Sequence, residues 1–134
     1  MVRAVMEGIT LESRHILESV LSAGVEMSDI ITVTGGASKS PQWCQIIADV
    51  MNRKIRTLNV PDAAIIGAAG LAAIATGAYA DLKDAVEHMV HFGDIIDPIP
   101  ENVEVYNKVF EIYKDAYYGL KSKDVFTKLA ELAK

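Results

Sequence analysis

Residues 31–43 read ITVTGGASKSPQW, and this stretch decides how the rest of the chain is interpreted. Branched apolar residues alternate with threonine before Gly35, as they do in a β-strand. Two glycines and a short polar loop follow, and Pro41 directly after Ser40 is typical of the first turn of a helix. The stretch therefore predicts a strand, a tight glycine turn and a helix in direct succession.

The glycine turn has two interpretations on its pattern alone. Gly35 and Gly36 have no Cβ, so a ligand could approach their backbone, and the N-terminus of the following helix favours negative charge. Lys39 would add a positive charge. The same glycines could also make nothing more than a strand-to-helix turn. The spacing is neither the dinucleotide-binding fingerprint nor a Walker loop, so both interpretations stay open at this point.

Outward from this stretch, helical and strand patterns alternate. We expect helices at 2–24, 41–52, 63–76 and 81–90, strands at 30–34 and 55–58, an extended segment at 92–100, a helix at 101–118 that Gly119 interrupts, and a last helix capped by Ser122. Strands alternating with helices predict an α/β domain with a few mainly parallel strands and right-handed crossovers. So few strands leave at least one sheet edge open, and an open edge seeks a partner.

Composition excludes several classes of function. The chain has 134 residues, a net charge of −5 and 51% hydrophobic residues, which indicates one globular domain. An acidic chain is a poor partner for nucleic acid or for an anionic membrane surface, and the apolar run 63–75 is too short to span a bilayer. The N-terminus has no signal-peptide pattern. We therefore expect a cytoplasmic protein without nucleic-acid or membrane partners.

The remaining candidate residues favour ordinary structural roles. His88 and His91 form at most a weak pair of metal ligands and are expected at a solvent-facing helix end. His15 is expected on the surface. Cys44 is the only cysteine, which excludes an internal disulfide, and we interpret it as a small packing residue.

Two carboxylates and a row of aromatic residues complete this set. Asp49 is interpreted as helix surface and Asp62 as the N-cap of the 63–76 helix. The apolar residues of the 101–118 helix predict its core face rather than a nucleic-acid platform: Val105, Tyr106, Val109, Phe110, Tyr113 and Tyr117.

Three blocks together resemble a known family. These are VRAVMEGI at 2–9, GGASKSPQW with the following IIADV at 35–50, and DAAIIGAAGLAA at 62–73. Their order and spacing resemble the C-terminal domain of FGGY-family carbohydrate kinases. The context of Trp43 is most similar to the xylulokinase and gluconokinase branches. The resemblance covers residues 1–118, which leaves 119–134 as a helical tail of a single, incomplete domain spanning 1–134.

The resemblance implies a partial RNase H-like domain of the actin-like ATPase superfamily. It implies that Gly35, Gly36 and Ala37 lie against the adenosine and α-phosphate of ATP, with Gly36 making its contact through the backbone. Ala37 stands where the family often has a third glycine. Ser40 stands where relatives place a polar contact to the adenine. The cofactors implied are ATP and, through the nucleotide, Mg²⁺.

In the resembling kinases, the sugar-binding domain and the catalytic aspartate precede the region that these 134 residues match. We therefore expect the C-terminal part of a sugar kinase acting on a xylulose-like ketose or related sugar or polyol, with no catalytic residue of its own and no activity alone. The alternatives are a non-catalytic nucleotide-binding or regulatory module, and a helical interaction module. Self-association is also expected, because the 63–76 helix and the strand edges should be poorly covered.

Overall fold

The computed structural model describes residues 1–60 and 62–133. Six α-helices and three strands are found in these ranges. In chain order they are α1 Val2–Ser22, β1 Ile30–Val33, α2 Pro41–Met51, β2 Lys54–Leu58, α3 Ala63–Ala75, α4 Leu82–Met89, β3 Phe92–Ile96, α5 Pro100–Ser122 and α6 Val125–Leu132. The predicted α/β alternation is confirmed, and no described helix is long and apolar enough to cross a membrane.

The sheet has the order β1-β2-β3. β1 and β2 are parallel, with Ile30 opposite Lys54 and Val33 opposite Thr57, and α2 makes the crossover between them. The segment predicted only as extended supplies β3, which pairs antiparallel to β2 with an irregularity between Arg56 and Leu58. The sheet is therefore mixed.

Helix α2 is the centre of the domain because both of its sides are buried. On one side Cys44 and Ala48 pack with Ile55 of the sheet. On the other, Ile46 and Val50 form a second cluster with Leu11 of α1 and with Tyr106 and Phe110 of α5. The chain thus builds a layer of sheet, then α2, then α1 and α5. The glycine turn lies where this central helix begins.

Helix α5 differs from its prediction. It runs through Gly119 to Ser122 without interruption; a single glycine costs a helix only about 1 kcal/mol relative to alanine. Ser122 does not cap α6, because its hydroxyl donates to the carbonyl of Gly119 at 2.8 Å. Asp124 precedes α6 instead, and Lys134 lies outside the described residues.

The inward face of α5 also differs from the prediction in part. Tyr106 and Phe110 are buried, as expected, but Val105 and Val109 are exposed. The buried residues of α5 are Val103, Tyr106 and Phe110, which are spaced by three and four residues and so form one face of the helix. Val105 and Val109 lie outside this face.

Candidate functional site

The glycine turn connects the end of β1 to the start of α2. Gly35 has a φ of +74°, a left-handed conformation that residues with a Cβ adopt at a cost of about 1–2 kcal/mol. Gly36 returns to a helical conformation and begins one turn of 3₁₀ helix at Ala37–Lys39. Ser38 closes the loop by donating its hydroxyl to the Gly35 carbonyl at 2.8 Å. Gly35 is thus the position in this loop where the backbone conformation favours glycine.

The backbone at Gly36 is open to an approaching ligand. A Cβ added at Gly36 would meet no atom within 4 Å. In the described part of the chain, no acceptor is found for the backbone N–H of Gly35 or Gly36. Exposed, unengaged N–H groups beside a helix N-terminus can donate to phosphate or ribose oxygens. Ala37 follows directly, so all three residues belong to one accessible turn.

Ser40 begins α2 as the sequence predicts. Its hydroxyl oxygen accepts a hydrogen bond from the backbone N–H of Trp43 at 3.3 Å, and Pro41 occupies the first helical position. The Trp43 indole N–H donates to the Thr10 hydroxyl at 3.3 Å. The first turn of α2 is therefore held both by its own cap and by α1.

A groove of about 480 Å³ opens beside Ser40, between the first turns of α1, α2 and α5. Arg3, Gln42 and Asn102 are among the polar side chains that line it. Gly35, Gly36 and Ala37 are not among its lining residues. The structure therefore places the four predicted site residues on one continuous loop, with only Ser40 facing the groove.

Three polar groups form a network at the edge of this groove. Glu7 Oε1 accepts from Arg3 Nε at 2.8 Å and from the Tyr106 hydroxyl at 2.7 Å. The hydrogen bond from Arg3, followed by the one from Tyr106, lowers the pKa of the Glu7 carboxyl. Burial, together with the hydrogen bond to Glu7, raises the pKa of the Tyr106 phenol. The network ties the first turns of α1 to α5.

Asp49 is the residue whose role the sequence missed. Its interpretation as helix surface is wrong, because the side chain is only 2% exposed. Its carboxylate accepts from Gln45 Nε2 at 2.9 Å, from the Ile99 backbone N–H at 2.8 Å and from Asn102 Nδ2 at 2.8 Å. Asp49 thus fixes the start of α5 against α2. Asp62, by contrast, caps α3 as predicted, accepting from the Ile65 N–H.

The other candidates have structural roles. His88 lies exposed on α4 within 3.1 Å of Asp84, as expected of a helix end. His15, expected on the surface, is partly buried: its side chain is 15% exposed, and its ring lies edge-on against Tyr117 with centroids 4.8 Å apart. Cys44 is buried, as predicted, and burial raises the pKa of its thiol.

Metal binding has no dedicated site in the described ranges. Across residues 1–60 and 62–133, no group of three or more His, Cys, Asp or Glu side chains could hold a metal ion. An apolar cavity of about 180 Å³ lies between α3 and α4, lined by Gly70, Ala85 and Met89 among others, and it is separate from the glycine turn. The loop and the groove beside it are therefore the candidate site.

Comparison with known proteins places this architecture in a family. The family model described as "FGGY family of carbohydrate kinases, C-terminal domain" matches residues 1–76. Since this is more than half of the chain, the chain belongs to the FGGY family of carbohydrate kinases. The resemblance predicted from the three sequence blocks is confirmed.

The curated relatives include sugar kinases of two named kinds. The chain is 32% identical to the xylulose kinase of Bacillus subtilis over 98% of its length, and 34% identical to a ribulokinase of Bacillus licheniformis over 97%. These matches cover only 26% and 25% of the relatives. The chain thus spans about a quarter of the length of these relatives.

Solved structures agree on the fold. A ligand-bound xylulose kinase from Lactobacillus acidophilus superposes with a TM-score of 0.79 and 26% identity, covering 90% of this chain and 24% of that one. A kinase from Brucella ovis, described as a "xyloylose kinase", superposes with a TM-score of 0.77 and 28% identity, covering 92% of this chain and 25% of that one. The predicted fold class, part of an actin-like ATPase fold, is confirmed.

Proposed function

We propose that this chain supplies one wall of the ATP site of a sugar kinase. Gly35, Gly36 and Ala37 would lie against the adenosine and α-phosphate, with Gly36 donating through its backbone, and Ser40 would make a polar contact to the adenine. The observation that carries the proposal is the exposed turn at Gly35 and Gly36, whose backbone N–H groups have no acceptor among the described residues, between a strand and a helix in a member of a kinase family.

Three properties of the turn suit an anionic ligand. The N–H groups of Gly35 and Gly36 have no acceptor among the described residues. The N-terminus of α2 adds a positive dipole end, and Lys39 on the same loop is exposed.

The chemistry would be shared with other parts of the kinase. ATP would carry the phosphoryl group, and Mg²⁺ bound to its phosphates would neutralise charge during transfer. This chain would orient the nucleotide and contribute no catalytic residue. The sugar, a xylulose-like ketose or a related sugar or polyol, would be bound mainly by an N-terminal domain. The 134 residues alone would not phosphorylate it, and the kinase would act in the cytoplasm.

The test is ATP and ADP binding to the purified chain, followed by NMR shift mapping. We expect shifts concentrated at Gly35, Gly36 and Ser40, which disappear in Gly36→Val. Since Gly36 has an ordinary helical conformation and open space around it, valine would fill the approach path without unfolding the loop. Gly8→Val is the matched control, because Gly8 is equally unobstructed but lies on α1.

Two outcomes would count against this function. Shifts that persist unchanged in Gly36→Val would contradict binding by these residues, whereas a spectrum unchanged at millimolar ATP would mean that the site needs the preceding part of the kinase. ATP-dependent phosphorylation of xylulose by the purified chain would contradict its proposed inactivity. A non-catalytic nucleotide-binding module would show the same shifts. A second experiment distinguishes it from part of a kinase: only part of a kinase would restore phosphorylation when combined with the preceding part of a kinase.

A further inference from the structure

Helix α6 is attached to the rest of the domain over a small area. It has eight residues, and none of them is buried. Its apolar side chains Phe126, Leu129 and Leu132 are 42%, 58% and 85% exposed. A helix of fewer than about 12–15 residues is only marginally stable in water on its own. The few contacts that α6 makes therefore decide whether it stays helical and in place.

A contact between two aromatic rings holds α6 in place. The Phe126 ring lies against Tyr117 of α5, with centroids 5.4 Å apart and an angle of 34° between the ring planes. Tyr117 in turn packs edge-on against His15 of α1, with centroids 4.8 Å apart. Lys128 Nζ also donates to the Lys123 carbonyl at 2.9 Å, but this bond reaches only the turn before α6. The three rings thus connect α6 to the packed helices α1 and α5.

The turn that leads into α6 is strained. Asp124 has a φ of +54°, a left-handed conformation that is unfavourable for a residue with a Cβ. Its side chain makes no capping hydrogen bond to α6. The docked position of α6 therefore carries a strain that release of the helix can relieve. Since the cost of one left-handed residue and the gain from one aromatic pair are of similar size, the docking of α6 is finely balanced.

Helix α6 also forms one wall of a cleft of about 530 Å³. Phe126 and Thr127 of α6 line this cleft together with Glu12 of α1 and with Tyr117 and Lys121 of α5. Release of α6 would remove one wall and expose the part of Tyr117 that Phe126 covers. The position of α6 therefore determines whether this part of the surface is a cleft or an open face.

We propose that α6 is a hinged element that alternates between a docked and a released position. Asp124 is the hinge, and the contact of Phe126 with Tyr117 holds the docked position. The docked position closes the cleft beside α1, and the released position opens it. No residue of the glycine loop at 35–40 lines this cleft, so the inference goes beyond the proposed nucleotide site and does not depend on it.

The test is native-state hydrogen exchange of the 134-residue chain, followed by NMR. A released α6 is too short to stay helical, so we expect the amides of 128–132 to exchange together, roughly a hundredfold or more faster than those of 103–110 in α5. Phe126→Ala should speed exchange at 128–132 a further several-fold, even though alanine favours helix formation. Asp124→Gly should slow it several-fold, because glycine adopts a positive φ at no steric cost.

The matched control is Leu132→Ala, which truncates a side chain of α6 that is 85% exposed and should leave exchange at 128–130 unchanged. Slow exchange at 103–110 in every variant would verify that the rest of the domain stays folded. The inference is overturned if 128–132 exchange as slowly as 103–110, if exchange rises gradually toward the end of α6 as in ordinary fraying, or if Asp124→Gly speeds exchange.

Discussion

At the scale of single residues, Glu7 is expected to make stability depend on pH. Its pKa is lowered in the folded chain by Arg3 and then Tyr106, so its contribution is present above the ordinary value of 4.5 and is lost as the pH falls below it. Glu7→Gln should lower the free energy of unfolding by roughly 1 kcal/mol at pH 7, a modest value for a partly exposed group, and by less at about pH 3.

The measurement is urea unfolding of both proteins across this pH range. Tyr106→Phe removes one of the two hydrogen bonds that lower the pKa of Glu7. It should therefore reduce the pH dependence of the free energy of unfolding. Glu104→Gln, an exposed glutamate on α5, controls for the change in net charge. If Glu7→Gln lowers the free energy of unfolding by the same amount at pH 7 and at about pH 3, the proposed effect of the Glu7 carboxylate on stability is contradicted.

The role of a single residue could be predicted from the sequence when its hydrogen-bond partners lie close to it along the chain. Ser40 and Asp62 were correctly predicted as N-caps because each accepts from an N–H three residues ahead. Asp49 was missed because Ile99 and Asn102 lie about fifty residues away along the chain. The predicted ATP contacts of Gly35, Gly36, Ala37 and Ser40 remain predictions, since a strand-to-helix turn has the same local geometry with or without a ligand.

At the scale of elements, Gly119 gives a direct test of the uninterrupted α5. It lies inside the helix, and an added Cβ would meet no atom within 4 Å. Gly119→Ala should therefore stabilise the chain by about 0.5 kcal/mol, because alanine loses less backbone entropy in a helix. Gly35→Ala is the contrasting variant, since the positive φ at this position should make it destabilising by about 1–2 kcal/mol.

Thermal and urea unfolding of the two variants would measure these opposite effects. Destabilisation by Gly119→Ala would indicate that the helix breaks at this glycine after all. The predicted end of α5 was wrong for a physical reason. Helix propensity penalises glycine, and a local sequence pattern does not show contacts such as that of Tyr117 with Phe126 across the α5–α6 junction. The antiparallel pairing of β3 was unpredictable in the same way.

At the scale of the whole molecule, the family and fold were predictable because the three blocks at 2–9, 35–50 and 62–73 have the order and spacing of the FGGY C-terminal domain, whose family model matches residues 1–76. What those blocks could not specify is which apolar surfaces stay covered. Helix α3 is apolar on all sides, yet only Gly70 is buried, against Ala85 of α4. Ile65 and Leu71 are both 64% exposed. A helix of this composition normally lies inside a larger core.

We therefore expect the purified chain to self-associate through α3, with a sedimentation coefficient that rises with concentration. Leu71→Glu should shift association to higher concentration, whereas Leu132→Glu, an exposed leucine at the end of α6, should not. Each copy carries a net charge of −5, so repulsion opposes association and added salt should strengthen it. A monomer at all concentrations, or association that salt weakens, would contradict an apolar contact through α3.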